Sequence, residues 1–521
     1  MFTSLDWIII VIYCVSIISL ATYVSRKKAG HERSAEDYFL AGRSLPWWAI
    51  GASLIAANIS AEQIIGMSGQ GFVVGMAIAV WELTAAIALI VMAKYFLPLF
   101  LEKKIYTMPQ FLEQRFDKRV SLVLSFFWLT VYIFVNLTAV LWLGSIAINT
   151  LTGLSLVNGM ILLAILSLAY SLSGGLKAVA MTDIVQVVLL IFGGLAVSYI
   201  ALTKIGNGYI TEGIIQVYQQ MPEKFDMILS SDNPSYNNLP GIWILIGAGV
   251  WIGHFAYWGF NQYITQRALG AKSLKEAQKG VMFAAYLKLL MPLVIVLPGI
   301  CAAMLFPVLE KTDQAYPTMM IELLPSGLLG LTFAALIAAI VSSLASMTNS
   351  ISTIFTMDIC RSFSKNEISQ RSLIFIGRTA VVVSMLIALV MAKPILGNSD
   401  QIFQYIQNFT GLFTPGILVI FLVALFWKKA TTLSVLVAAI LSVFMSIFIQ
   451  GFFPEFPYIH RMGAVFFASG LGCYLTSLSQ GYFDQEKAID LAEIDFSTTK
   501  TFNINSLIIV SILTLIYVTL G

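Results

Sequence analysis

The chain has 521 residues, of which 58% are hydrophobic and only 11% charged. A soluble domain carries roughly 25% charged residues, so this composition excludes a water-soluble globule and marks a polytopic, all-α membrane protein. The net charge of +3 is too small to argue for a nucleic-acid partner. Cys14, Cys301, Cys360 and Cys473 form neither a disulfide framework nor a metal-ligand spacing.

About fourteen stretches reach the ~20 apolar residues that a bilayer crossing needs. They are expected near 7–24, 46–70, 77–100, 121–149, 156–173, 182–203, 241–264, 281–306, 326–356, 373–396, 401–426, 432–452, 462–479 and 504–520. The first has its basic residues behind it, so it reads as an anchor and not a cleaved leader. One set of loops carries Arg26, Lys27, Lys28, Arg33, Arg43, Lys103, Lys104, Arg115, Lys118, Arg119, Arg267, Lys272, Lys275, Lys279, Arg361, Lys365, Arg371, Lys428 and Lys429. The opposite set carries only Lys204, Lys224, Lys311, Lys393 and Arg461. The positive-inside rule then places both termini outside the cytoplasm. The longest outward loop is 204–240, polar and rich in Asn, Pro and Tyr; 482–497 is an acidic cytoplasmic loop. The Asn-x-Ser/Thr triplets begin at Asn58, Asn136 and Asn408, all inside expected spans, which favours a bacterial inner membrane over a glycosylated cell surface.

The informative residues are the polar ones inside spans. In the second, ASLIAANISAEQIIGMSGQG (52–71) sets Asn58, Ser60, Glu62, Gln63 and Ser68 among three glycines. That is poor material for a continuous lipid-facing helix, whereas a broken helix lining a cavity can offer its freed carbonyls to an ion. In the third span Glu82 follows Trp81, and it either snorkels or recognises a hydroxyl. Asp183 lies near the expected cytoplasmic interface, where a solvated or helix-starting carboxylate is the plain reading. The seventh span, WIGHFAYWGFNQY (251–263), is broken in character like the second and stands five spans after it. Two interrupted helices in corresponding positions point to an inverted-repeat transporter with its site at mid-membrane. His254 in this segment is far from His31 and His460, so it suits a hydrogen-bonding pocket better than a metal site.

Further along, Lys288 stands ~12 Å into its span, near the limit of a snorkelling lysine, and an intramembrane charge is a functional candidate. In the ninth span Ser342 and Ser343 follow the carbonyl of Ala339 by one turn, so three neutral oxygens can converge on a bare monovalent cation. Alone, such a pair more readily bonds back to its own helix. Gln404 and Gln407 read first as interhelical hydrogen-bonding groups. No nucleophile–base pair, phosphate loop or metal-ligand spacing is present, so neither an enzyme nor an organic cofactor is expected.

Five stretches together, EDYFLAGRSLPWWAIGASLIAANISAEQIIGMSGQG (36–71), GGLKAVAMTDIVQ (174–186), YWGFNQYITQRAL (257–269), AALIAAIVSSLASMTNS (334–350) and FQYIQNFTGL (403–412), resemble the sodium/solute symporter family, most closely its bacterial sodium/galactose branch. The resemblance implies the five-plus-five inverted repeat of the bacterial sodium/leucine transporter. The extra N-terminal helix would be 7–24, the repeats 46–203 and 241–426, and the three extra C-terminal helices 432–520. It implies a sodium site made of the carbonyls of Ala56, Ile59 and Ala339 and the hydroxyls of Ser342 and Ser343. Members that couple a second sodium place Ser or Thr where this chain has Ala345, so one sodium is expected, with Asp183 on its exit path; Ser346 remains nearby.

The sugar pocket implied by the resemblance comprises Gln63, Glu82, His254, Lys288 and Gln407. Tyr257 would stand at the inner gate and Met67 and Phe403 at the outer, with Trp81 and Trp258 as further gate residues. His254 replaces an Asn of that branch, Ala85 a Ser, and Trp81 a Tyr, so the favoured hexose, galactose or glucose, is open. The expected function is sodium-driven sugar uptake by alternating access, with sodium, a neutral sugar and the lipid bilayer as partners. Competing expectations are symport of a polyol, sialic acid or amino acid, a non-transporting sugar sensor, which usually carries a signalling domain beyond the last span, and a sodium-independent uniporter.

Overall fold

The computed structural model describes residues 2–24, 36, 40–364, 368–399 and 401–521. The loop cations Arg26, Lys27, Lys28, Arg33 and Lys365 therefore lie outside the described residues, as do 37–39 of the first motif. Among the described residues the architecture is helical, with no β-strand longer than an isolated bridge between Leu45 and Ala271. Ten helices among them are long and apolar enough to cross a bilayer, and twelve spans result if each of two bent pairs counts as one. The exposed face of the bundle is itself apolar, with Val188, Phe375, Val390, Ile440 and Val518 all more than half exposed. That is the inverse of a soluble surface and fits lipid as solvent.

The expected spans 156–173 and 241–264 take another form. Residues 156–173 and 182–203 lie in one uninterrupted helical run, Leu156–Ile205, of 50 residues. The connecting residues 174–181 hold no proline, and helical backbone satisfies their polar groups internally. The segment 241–264 is divided into Trp243–Ile246, Gly249–His254, a π-helical turn Phe255–Phe260 and Gln262–Leu269. Its interruptions fall at Ala248, with φ +64°, and at Asn261, whose backbone is extended.

The second span breaks as the sequence suggests. Helix Trp47–Asn58 ends, Ile59 leaves helical geometry, and a π-helical turn Glu62–Met67 leads into Ser68–Val73. The two halves are bent by 59°. Packing brings the broken segments together. Gly51 and Gly280 let helices Trp47–Asn58 and Leu274–Met291 approach so closely that a Cβ on Gly51 would meet the Gly280 carbonyl at 2.6 Å. Leu45, just before the first broken helix, also pairs through its backbone with Gly270 and Lys272, after the second. Helix Leu328–Ile354, which carries the serine pair, packs against Leu156–Ile205 and against Trp47–Asn58. At its N-terminus the buried Asp6 of helix Ser4–Val24 accepts the N–H groups of Gly327 and Gly330, so a carboxylate from another helix caps it.

Candidate functional site

The break in the first helix frees specific backbone groups. Ser60 N–H would continue the ladder to the Ala56 carbonyl; instead it donates to Asn58 O at 3.0 Å and to Gln63 Oε1 at 3.2 Å. The Ala56 carbonyl is thereby left to the serine helix, where Ser343 Oγ donates to it at 3.5 Å. Ala56, Ile59, Ala339, Ser342 and Ser343 are all at most 1% exposed. The structure places the first two at the break and the other three on the helix packed against it, and Ser342 donates its proton to Asp183.

Asp183 is not at an interface. It is fully buried in mid-helix, also accepts from Ser53 Oγ, and lies 3.7 Å from Arg267. Arg267, which the sequence groups with the loop cations, is 1% exposed and bonds Ser53 O and Oγ at 2.9 Å and Ser346 Oγ at 2.5 Å. The solvated reading of Asp183 and the loop assignment of Arg267 are both overturned by this buried pair. Each charge offsets the desolvation of the other, which neither could bear alone.

A cavity adjoins the break, lined in part by Asn58, Glu62 and Gln63 from its two flanks. Gln63, Glu82, His254, Lys288 and Gln407, together with Tyr257, Trp258, Met67, Trp81 and Phe403, all line it. Lys288 and Glu82 are 1% and 2% exposed and pair at 2.6 Å, so neither snorkels. Lys288 also donates to Asn58 Oδ1 and stands 5.1 Å over the Trp258 ring. Gln63 spends its amide oxygen on Ser60, which leaves its NH2 group as the donor available to the cavity.

The tautomer of His254 follows from its neighbours. Thr84 Oγ1 donates to the Val80 carbonyl at 2.5 Å and stands 2.7 Å from His254 Nε2. With the threonine proton committed, Nε2–H is the donor and Nδ1 is left as an acceptor. Tyr257 closes one wall. Its hydroxyl receives Asn58 Nδ2 at 3.1 Å and meets Tyr263 Oη at 2.7 Å, and Tyr132 in turn bonds the extended Asn261 at 2.6 Å.

The sequence model of the Sodium:solute symporter family matches residues 38–442. The chain belongs to the sodium:solute symporter family. It is 46% identical to the sodium/glucose cotransporter of Vibrio parahaemolyticus over 98% of this chain and 97% of that one. It is 30% identical to the human sodium/myo-inositol cotransporter 2 over 81% and 66% of the two chains. Among solved structures, a sodium-coupled sialic acid symporter in a substrate-bound outward-open state superposes with a TM-score of 0.79 at 21% identity, covering 92% and 98%. The nucleobase-cation symporter Mhp1 superposes at 0.57 and 14% identity, covering 87% and 98%. Both give the fold alone; that the chain is a transporter and not an enzyme rests on its family and its Vibrio relative.

Several lining residues carried no role in the sequence reading. Asn58 and Glu62 were visible only as polar residues in a span, although Asn58 stands between the Ala56 and Ile59 carbonyls and bonds both Lys288 and Tyr257. Thr84, which fixes the His254 tautomer, and Tyr263, which holds Tyr257, act on the cavity through the lining residues they bond, and no sequence pattern marks them. Phe127, Trp128, Asn136, Asn261, Thr410 and Met462 complete much of the lining. They come from segments scattered along the chain, and no local pattern announces them.

Proposed function

We propose that this symporter couples the inward movement of one sodium ion to uptake of a neutral hexose, glucose or galactose, by alternating access. The observation that carries the reading is the position of Asn58. The carbonyls on either side of it, at Ala56 and Ile59, are the ones offered to the ion, while its side chain holds Lys288 of the cavity and Tyr257 of the gate. An ion that draws those carbonyls to Ala339, Ser342 and Ser343 orders the same break that shapes the sugar pocket. Sugar entry then depends on sodium, as linkage requires.

The cavity chemistry supports a polyhydroxy ligand. Glu82 and His254 Nδ1 accept, Gln63 and the third N–H of Lys288 donate, Gln407 does either, and Trp81, Trp258, Met67 and Phe403 offer apolar surface. A substrate carboxylate would meet Glu82 and find Lys288 already paired, which argues against sialic or amino acids. The Vibrio relative is a sodium/glucose cotransporter, which agrees with this. A single sodium is supported by Arg267, whose guanidinium bonds Ser346 and pairs with Asp183 where a second ion would need those oxygens. Asp183 itself, bonded to Ser342, stands where sodium leaves the serines.

In this reading 46–203 and 241–426 are the inverted repeats, 7–24 and 432–520 flank them, and Tyr257 must swing for sugar to exit inward. The protein sits in a bacterial inner membrane with both termini on the outer side. One charge crossing 100 mV gives ~2.3 kcal/mol and a tenfold sodium gradient ~1.4, together enough for roughly 500-fold accumulation. The test is uptake of labelled glucose, galactose and myo-inositol into proteoliposomes with and without an inward sodium gradient. Accumulation of a hexose above equilibrium only with sodium supports the reading. Accumulation of myo-inositol alone replaces the substrate, and sodium-independent equilibration overturns the coupling.

A further inference from the structure

The polar loop that follows Ile205 is built, not slack. It holds the helix Ile210–Gln220 and the short turn Pro222–Phe225, with the Tyr218 and Phe225 rings 5.3 Å apart. Just beyond, Met227 N–H donates to the carbonyl of Leu520, at the end of the last helix. Between these anchors Lys224 Nζ reaches across to the carbonyls of Phe72 at 3.0 Å and Val73 at 2.5 Å. Those carbonyls end Ser68–Val73, the second half of the first broken helix. A cation at a helix C-terminus both satisfies carbonyls that lack ladder partners and matches the negative end of the dipole.

A second observation shows that the approach is built into the backbone. Gly75 has φ +89°, and a Cβ there would fall 2.6 Å from Lys224 Cα, so only glycine allows the loop to lie against the helix end. The clamped segment is continuous with the π-helical turn Glu62–Met67, which carries Gln63 and Met67 to the cavity. From Met67 to Val73 is ~9 Å of helix, so a tilt at the clamped end is passed directly to the cavity wall.

We propose that Lys224 is a positioning residue of the symporter: by clamping the end of Ser68–Val73 to the loop, it fixes where Gln63 and Met67 stand when solute binds. The proposal rests on the cavity being the solute site. Removing the clamp raises the half-saturating solute concentration and leaves the maximal rate nearly unchanged.

The experiment compares Lys224→Met, Lys224→Arg and Gly75→Ala in proteoliposomes at saturating sodium. Expected are about a tenfold rise in half-saturation for Lys224→Met, rescue to within about twofold by Lys224→Arg, and a rise for Gly75→Ala, which displaces the loop while keeping the charge. A parallel readout needs no solute: a Met67→Cys probe is labelled faster by a membrane-impermeant thiol reagent when combined with Lys224→Met. Unchanged half-saturation together with unchanged labelling overturns the proposal. So does a loss in Lys224→Met that Lys224→Arg fails to rescue, because that would be a folding defect. Faster labelling in a protein that moves no hexose would uphold the clamp and sink the sugar reading alone.

Discussion

The Lys288–Glu82 pair sets a quantitative test, because both side chains are at most 2% exposed and meet at 2.6 Å. Lys288→Met leaves the Glu82 carboxylate buried without its partner, a cost of about 3–5 kcal/mol. It also strips Asn58 Oδ1 of a donor, adding about 1–3 kcal/mol. Glu82→Gln is milder, since Lys288 keeps Asn58 and gains an amide oxygen in place of the carboxylate. The double variant Glu82→Gln/Lys288→Met removes both charges, and replacing a buried pair by neutral groups is often close to neutral. The double variant still leaves Asn58 Oδ1 without that donor, so the expected order of stability is wild type, then the double variant about 1–3 kcal/mol below it, then Lys288→Met, the least stable, with a coupling of about 3 kcal/mol between the two sites. Equilibrium unfolding in mixed micelles reads the stabilities, and solute uptake reads function, which all three variants lose if the pair binds sugar. Additive costs would refute the reasoning, since the two charges would then be solvated independently. A stable double variant with full uptake would refute the pocket assignment instead.

Ser343→Ala removes a hydroxyl facing the Ala56 carbonyl, so sodium-stimulated uptake should fall by about tenfold or more while a sodium-independent leak persists; flux at graded sodium checks this. His254→Asn loses the Nδ1 acceptor that Thr84 holds in place, so the ratio of glucose to galactose uptake should change by about tenfold in competition assays. Gly51→Val drives a side chain into the Gly280 carbonyl and Phe283, and should lower stability by about 1–3 kcal/mol or prevent folding, read by unfolding and by detergent-stable yield.

The spans and their broken members are legible in the sequence because lipid imposes a length on apolar segments and tolerates broken backbone only beside cavities. The serine pair and the 52–71 segment stood out for that reason. Loops and interior were harder to separate. Arg267 follows the gate segment that holds Tyr257 and comes shortly before the loop residues Lys272 and Lys275, so position alone sent it to the surface. Only the fold reveals that Gln262–Leu269 re-enters the core and delivers it to Asp183. The long run Leu156–Ile205 shows the opposite case, since a stretch with two glycines and a lysine that reads as a turn between spans is helical backbone here. Thr84 and Asn58 could be found only once their partners were placed, because a lone polar residue in a span has many equivalent partners.

The proposed ion site and the cavity share one structural economy. No group offered to the ion carries a net charge of its own: these are carbonyls and hydroxyls, and the neighbouring Asp183 is matched by Arg267. In the cavity Lys288 and Glu82 offset each other, while Glu62 adds a further carboxyl group to the lining. A bound sodium adds one positive charge to whatever the empty interior carries, and this added charge is what distinguishes the loaded carrier from the empty one in the membrane field. A neutral solute adds none. Replacing Arg267 by a neutral residue would leave Asp183 to pair with the ion and would remove one positive charge from both the loaded and the empty carrier, so the potential would drive the loaded step less. Voltage dependence should then move to the return of the empty carrier, whereas wild-type uptake should respond to the potential in the sodium-loaded direction.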